Sequence, residues 1–125
     1  MQITAAGLES ITSAPPVEFD GPGDRWSPET LLIASIADCY VMTFQAIARA
    51  SHLEWKEIRC EVEGLLDRVD RITRFTGFDI HATLSIPESV DEHKARQILE
   101  KSESACLISN SLTGEKTLHI NLQRV

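Results

Sequence analysis

From Leu31 to Ala50 the chain contains no glycine and no proline, and this run limits what it can fold into more than any other feature. Nothing in it stops a helix for roughly five turns. The start is well marked. Ser27 can accept a hydrogen bond from a free N–H of the first turn, and Pro28 lacks the N–H that would go unpaired there. Glu29 puts negative charge where the helix dipole favours it. Apolar residues occupy nearly every face of the run to Ala50, which predicts burial on most sides. A membrane span is not expected, because the run is short and is interrupted by Asp38, Gln45 and Arg49.

A chain of 125 residues is expected to form one domain, residues 1–125, able to bury a core yet small enough to gain from dimerisation. Twelve basic against 19 acidic residues, a net charge of -7, argue against nucleic acid or an anionic membrane as partner. No charged-then-apolar segment opens the chain, so no signal peptide is visible. Three cysteines at wide spacing fit a reducing cytosol better than a disulfide scaffold, and a cytoplasmic location is expected.

In order along the chain, short strand pieces are predicted at Gln2 to Thr4 and Gly7 to Thr12, with Pro15 and Pro16 excluding a central strand. Asp20-Gly21-Pro22-Gly23-Asp24 has turn chemistry and feeds the long helix. Trp55 to Asp67 alternates, with Ile58, Cys60 and Val62 on one face and glutamates and Arg59 on the other. Phe78, Ile80, Ala82, Leu84 and Ile86 alternate with polar residues as the clearest half-buried strand. Arg68 to Gly77 is expected to turn between the two, giving an antiparallel hairpin. Ser89 is expected to cap a second helix ending near Asn110 to Gly114. Ala95, Ile98, Leu99, Ser102 and Cys106 share one of its faces. A last strand, Thr117 to Val125, turns Leu118, Ile120 and Leu122 inward. The sum is an α+β domain with helices packed on an antiparallel sheet.

Few constellations carry chemistry. His52, His81, His93 and His119 have no metal-ligand spacing and no CxxC beside them, so no metal site is expected. No glycine-rich phosphate loop or nucleophile elbow is present. The thiols remain. Cys39 sits mid-helix, with Ser35, Ile36, Met42 and Thr43 one turn away; taken alone it reads as a core residue, as does Cys60. Cys39 and Cys106 both point toward the core from helices. They can meet if those helices pack, although periodicity alone allows this pairing without requiring it.

The stretch Ser27-Pro28-Glu29-Thr30-Leu31-Leu32-Ile33-Ala34-Ser35-Ile36-Ala37-Asp38-Cys39 resembles the first cysteine motif of the OsmC/Ohr family of osmotically inducible and organic hydroperoxide resistance proteins. Ser104-Ala105-Cys106-Leu107-Ile108-Ser109-Asn110-Ser111-Leu112 resembles the second, and the likeness spans nearly the whole chain. It implies an OsmC-like fold, with an antiparallel sheet on a long central helix and a second helix, in an intertwined homodimer with sites at the interface. It implies a cysteine-based peroxidase, an antioxidant enzyme of oxidative stress that reduces organic hydroperoxides. Cys39 is then the peroxidatic thiol and Cys106 the resolving one; a Cys39 sulfenic acid and a Cys39–Cys106 disulfide follow, and an external dithiol, with no cofactor, closes the cycle. A non-catalytic small-ligand-binding protein and a thiol redox sensor are the alternatives. Glu29 matches the glutamate that partners the family's catalytic arginine. That arginine belongs to a strand preceding the segment matched by residues 1–20, and no aligned arginine is present. Asp38 stands where small residues are usual, and Leu107 where many relatives have proline.

These departures raise the question of how Cys39 is activated. It lies about 18 Å from the start of its helix, where the dipole no longer acts. Burial raises a thiol pKa, and Asp38 adds to the effect. A cation is therefore expected at the sulfur: Arg25, just before the helix, or Arg49, within the chain or from a partner helix. Arg25 is the preferred candidate.

Overall fold

The structure, a computed structural model, describes residues 1–125. The chain divides into two compact units, Met1–Ala34 and Ser35–Val125, with the boundary inside the long helix.

In the first unit, β1 (Gln2–Ile3) and β2 (Ile11–Thr12) pair antiparallel, Gln2 with Thr12 and Ile3 with Ile11. The predicted strand from Gly7 is shorter than expected, because Gly7 takes φ 77 in the turn between them. A 3-10 turn, Val17–Phe19, follows the two prolines. Gly21 is obligatory: a Cβ there would lie 1.6 Å from the Pro15 carbonyl oxygen. Helix α1, Pro28–Ala50, then begins at a reciprocal cap. Thr30 N–H donates to Ser27 Oγ at 3.1 Å and Ser27 N–H donates to Thr30 Oγ1 at 2.8 Å, so two otherwise unpaired donors of the helix start are satisfied.

From Ser35 onward α1 belongs to the second unit. Only one stripe of it is buried, Ile36, Tyr40, Phe44 and Ala48 at four-residue spacing. The expectation of burial on most sides does not hold within the single chain; Met42 is 62% exposed. The expectation that the run is too short for a membrane also fails, since 23 residues span about 34 Å. Length and composition alone would let α1 cross a bilayer, as they would for many core helices. Asp38, Gln45 and Arg49 on its exposed faces argue against lipid contact. The helix ends in a Schellman arrangement: Leu53 N–H donates to the Ala48 carbonyl and His52 N–H to the Arg49 carbonyl, with His52 at φ 56.

Strands β3 (Glu57–Val69) and β4 (Ile72–Ile86) form a long antiparallel hairpin with a register shift at Leu65/Leu66. The expected ten-residue turn is in fact two residues, Asp70 and Arg71, both at positive φ (51 and 68) as a type I′ turn demands. Asp-Arg lacks the glycine that usually marks such turns, which is why the pattern hid it. Helix α2 (Glu92–Ala105) is capped by Asp91, not Ser89; His93 N–H donates to the Asp91 carboxylate at 3.2 Å. Its chain breaks at Cys106, whose ψ of 114 is extended, and resumes as the single turn α3 (Leu107–Asn110). The Asn110 side-chain amide donates to the Ser104 carbonyl at 2.9 Å, satisfying an acceptor that the break leaves without a helical donor.

β5 (Glu115–Arg124) pairs with β4 in parallel, Ile80 against Leu118 and Leu84 against Leu122. The sheet, in the order β3-β4-β5, is therefore mixed rather than wholly antiparallel. The helical crossover between β4 and β5 carries the chain back to start β5 alongside the start of β4. Arg124 anchors the entry to α2, donating to the carbonyls of Pro87, Glu88 and Val90 at 3.2, 3.0 and 3.1 Å. The core of this unit joins the α1 stripe, the inward residues of β4 from Phe78 to Ile86, and Ala95, Ile98 and Leu99 of α2. Tyr40 links two helices, its hydroxyl donating to the Leu99 carbonyl at 2.9 Å. On the polar face of the sheet His81 and His119 stack at 4.5 Å, each beside a carboxylate, Glu63 and Asp79. No group of three His, Cys, Asp or Glu is arranged to hold a metal ion.

Candidate functional site

Two of the three cysteines meet. Cys39, half-buried on α1, and Cys106, fully buried at the α2–α3 break, are both reduced and are hydrogen-bonded to each other. The break creates this contact. Had α2 run on to Asn110, Cys106 would have stayed in a regular helix; instead its extended backbone places it between α2 and α3, and the first residues of α3 come up against the Cys39 sulfur.

Burial pushes the Cys39 thiol up, but four hydrogen-bond donors together outweigh it. They are the Ile108 backbone N–H, the Cys106 thiol, the Thr43 hydroxyl and the Leu107 backbone N–H, and the pKa falls below the ordinary thiol value. The Thr43 oxygen lies 3.9 Å from the sulfur, one helical turn on. Burial raises the thiol as expected, but the net shift is downward, and no cation is among its causes. Cys106 moves the other way: burial raises it to about 11, only the Ser109 backbone N–H opposes this, and its bond to Cys39 raises it further. The two thiols of the pair are thereby shifted in opposite directions, Cys39 down and Cys106 up. Cys60, half-buried on β3, is pushed up to about 12, chiefly by burial.

An open hollow of about 550 Å³ lies over Cys39, lined chiefly by apolar groups of Met42, Ala46, Ile47, Ala105 and Ile108. Asp38 sits at its edge, exposed. Met42, the most exposed large apolar side chain of α1, forms part of the wall.

Arg25 and Glu29 belong to the first unit. Arg25 is exposed beside Trp26 and Thr30. Glu29 lines an apolar pocket of about 470 Å³ with Pro15, Pro16, Phe19 and Pro28, and its Oε2 is buried with no hydrogen-bond partner. A buried carboxylate oxygen without a donor carries a desolvation cost that a cation would relieve.

The α+β arrangement, with a 23-residue helix and a cysteine at the break after α2, decides the relationship. The OsmC-like protein family model matches residues 21–121. The chain belongs to the OsmC-like family. Among curated proteins it is 29% identical, over 113 residues, to the uncharacterized protein YmaD of Bacillus subtilis, with 84% of this chain and 72% of that protein covered. Among solved structures it resembles an organic hydroperoxide resistance protein OsmC of Legionella pneumophila, at TM-score 0.75 and 22% identity, covering 94% of this chain and 83% of the other. It also resembles an OsmC-like protein of unknown function from Vibrio cholerae, at TM-score 0.81 and 16% identity, covering 92% and 79%.

The sequence did not reveal the backbone donors on Cys39. One signal could have. Leu107 stands where many OsmC-like relatives have proline, and proline is at home at the first position of a helix. A new helix beginning at Leu107 was therefore legible from the family pattern, and with it a break at Cys106.

Proposed function

We propose that this OsmC-like protein is a cysteine-based peroxidase that reduces organic hydroperoxides. The observation that carries the proposal is the meeting of two thiols from α1 and the α2–α3 break under an apolar hollow, with their pKa values shifted in opposite directions, Cys39 down and Cys106 up. The Cys39 thiolate attacks the terminal oxygen of R–O–OH; the O–O bond breaks, and an alkoxide leaves and is protonated to the alcohol. Cys39 is then a sulfenic acid. The Cys106 thiol attacks that sulfur, its proton leaving with the hydroxyl as water, and a Cys39–Cys106 disulfide forms. A dithiol reductant, rather than a bound cofactor, returns both thiols through a mixed disulfide. An apolar R group suits the hollow better than hydrogen peroxide does.

Glu29 is assigned the role of holding a cation, in keeping with its partnerless buried oxygen, and Arg25 is the candidate cation. The working form is a homodimer, consistent with the exposed face of α1 around Met42. A cytoplasmic location is in keeping with three widely spaced cysteines, and the net charge of -7 speaks against nucleic acid or an anionic membrane as partner. The test is consumption of cumene hydroperoxide with excess dithiothreitol. Wild type should turn over, Cys39→Ser should not, and Cys106→Ser should stall after one equivalent with a trappable sulfenic acid. Turnover by Cys39→Ser at the wild-type rate would end this reading.

A further inference from the structure

Glu103 is a charged side chain the mechanism above leaves unused. It lies on the last turn of α2, half-buried, and its Oε1 is buried with no hydrogen-bond partner. Its other oxygen accepts a hydrogen bond from the Ser109 hydroxyl at 3.4 Å. Ser109 is buried in α3 and its backbone N–H is bonded to the Cys106 sulfur. The two residues before it, Leu107 and Ile108, give their N–H groups to Cys39. The Cys106 N–H in turn donates to the Glu103 carbonyl at 3.2 Å. The carboxylate on one side of the break is thus tied to the turn on the other side, and every backbone donor on either thiol comes from that turn.

We propose that Glu103 is the positioning residue of the thiol pair, clamping α3 through the Ser109 hydroxyl so that the Leu107 and Ile108 N–H groups stay on Cys39. This rests on the reading of Cys39 as a thiolate nucleophile, but its consequence is a property of the thiol itself. The Asn110 amide also ties the turn back to the Ser104 carbonyl at 2.9 Å, but at its far end; at the end that faces Cys39, Leu107 is 68% exposed, and the Ser109–Glu103 bond is the side-chain tie from the buried face of the turn. The groups around the carboxyl are Tyr40 from α1, Cys60 from β3, Cys106 at the break and Lys116 from β5. Around Cys39 stand Asp38 and Thr43 of α1 and the residues of the break. Burial raises Glu103 itself, while the Ser109 bond and the Lys116 charge oppose this.

The experiment is the pH dependence of iodoacetamide alkylation at Cys39, read site by site by peptide mass spectrometry, in wild type, Glu103→Ala, Ser109→Ala and Glu103→Gln. Glu103→Ala and Ser109→Ala are each expected to slow Cys39 alkylation at neutral pH about tenfold and move its midpoint upward, since both cut the same link. Glu103→Gln retains a carbonyl to accept from Ser109 and is expected to restore the wild-type profile. Wild-type profiles in both alanine variants would overturn the proposal. So would a glutamine variant as slow as the alanine one, since charge and not the clamp would then be at work. If Glu103→Ala does not fold by circular dichroism, Ser109→Ala, which removes one oxygen atom, decides alone. Because alkylation needs no peroxide, a wild type without peroxidase turnover would refute the proposed function while leaving this inference to stand or fall by its own profiles.

Discussion

Replacing Leu107 by proline separates two effects that usually travel together, backbone stability and thiolate stabilisation. Leu107 opens α3 and is 68% exposed, so little burial is lost. The preceding Cys106 has φ -66 and ψ 114, an extended conformation that a following proline tolerates. Proline at the first helical position also restricts the unfolded chain, and Leu107→Pro is expected to raise stability by about 0.4–1 kcal/mol. The same change deletes one of the four donors on Cys39. A hydrogen bond to a charged group is worth about 1.5–3 kcal/mol, but this donor is the least of the four and the hollow is open enough for water to replace part of it. About 1 kcal/mol is a reasonable net loss, or roughly a fivefold fall in thiolate at neutral pH. Iodoacetamide alkylation at Cys39 reports the thiolate, and urea unfolding reports the stability. A variant that alkylates as fast as wild type across pH 6 to 9 would show that the Leu107 N–H does not hold this sulfur. The account of its lowered pKa would then lose the Leu107 donor and rest on Ile108 for its backbone component.

Two further outcomes follow from the same structure. His52 sits at φ 56 in the αL position that ends α1, so His52→Gly is expected to stabilise by up to about 1 kcal/mol, read as a higher urea midpoint; a lower midpoint would mean that the ring makes contacts worth more than the strain. Stability should also fall with alkali. Cys106 and Cys60 are raised to about 11 and about 12, chiefly by burial, so the stability they add is complete below their ordinary pKa and is lost as pH climbs toward those values, by about 1–2 kcal/mol after discounting for solvent screening. Cys39, being lowered, has the opposite sign: the stability it adds appears as pH rises toward the ordinary thiol value and is constant beyond it, so it offsets part of the early fall. A urea midpoint flat from pH 8 to 10.5 in reduced protein would contradict this.

The elements that the sequence displayed best were those whose signals are local. Ser27-Pro28 placed the start of α1 to the residue, and the alternation from Phe78 to Ile86 named the buried side of β4. What stayed hidden depended on partners elsewhere. The Asp70-Arg71 turn requires positive φ at two residues that rarely adopt it, and the ladder of thirteen paired residues from Glu57 to Val69 holds them there. The direction of β5 is set by the crossover through α2 and α3, and no residue within β5 encodes it. The breadth of apolar residues on α1 was read as burial, yet only one stripe is fully buried within the single chain.

The site shows the same division at the scale of one atom type. The arguments against an acidic Cys39 were individually sound: the sulfur is partly buried, and the start of its own helix is too distant to help. They failed because the deciding donors come from a turn 68 and 69 residues further along the sequence, at Leu107 and Ile108. The three cysteines make the point without any change of side chain. Cys60, for which burial is the largest cause and no hydrogen-bond donor opposes it, rises to about 12. Cys106, opposed by one backbone donor, rises to about 11. Cys39, with four donors, falls below its ordinary value. Desolvation and the number of donors work in the same sense across the three thiols, and in Cys39 the donors prevail. No cation is among the causes of the Cys39 shift, and the task proposed for Arg25 is to bind the peroxide or the departing alkoxide. An Arg25→Ala variant should therefore lose peroxide turnover while keeping the wild-type alkylation profile of Cys39. A variant whose alkylation midpoint rises together with its loss of turnover would restore the arginine to the thiol.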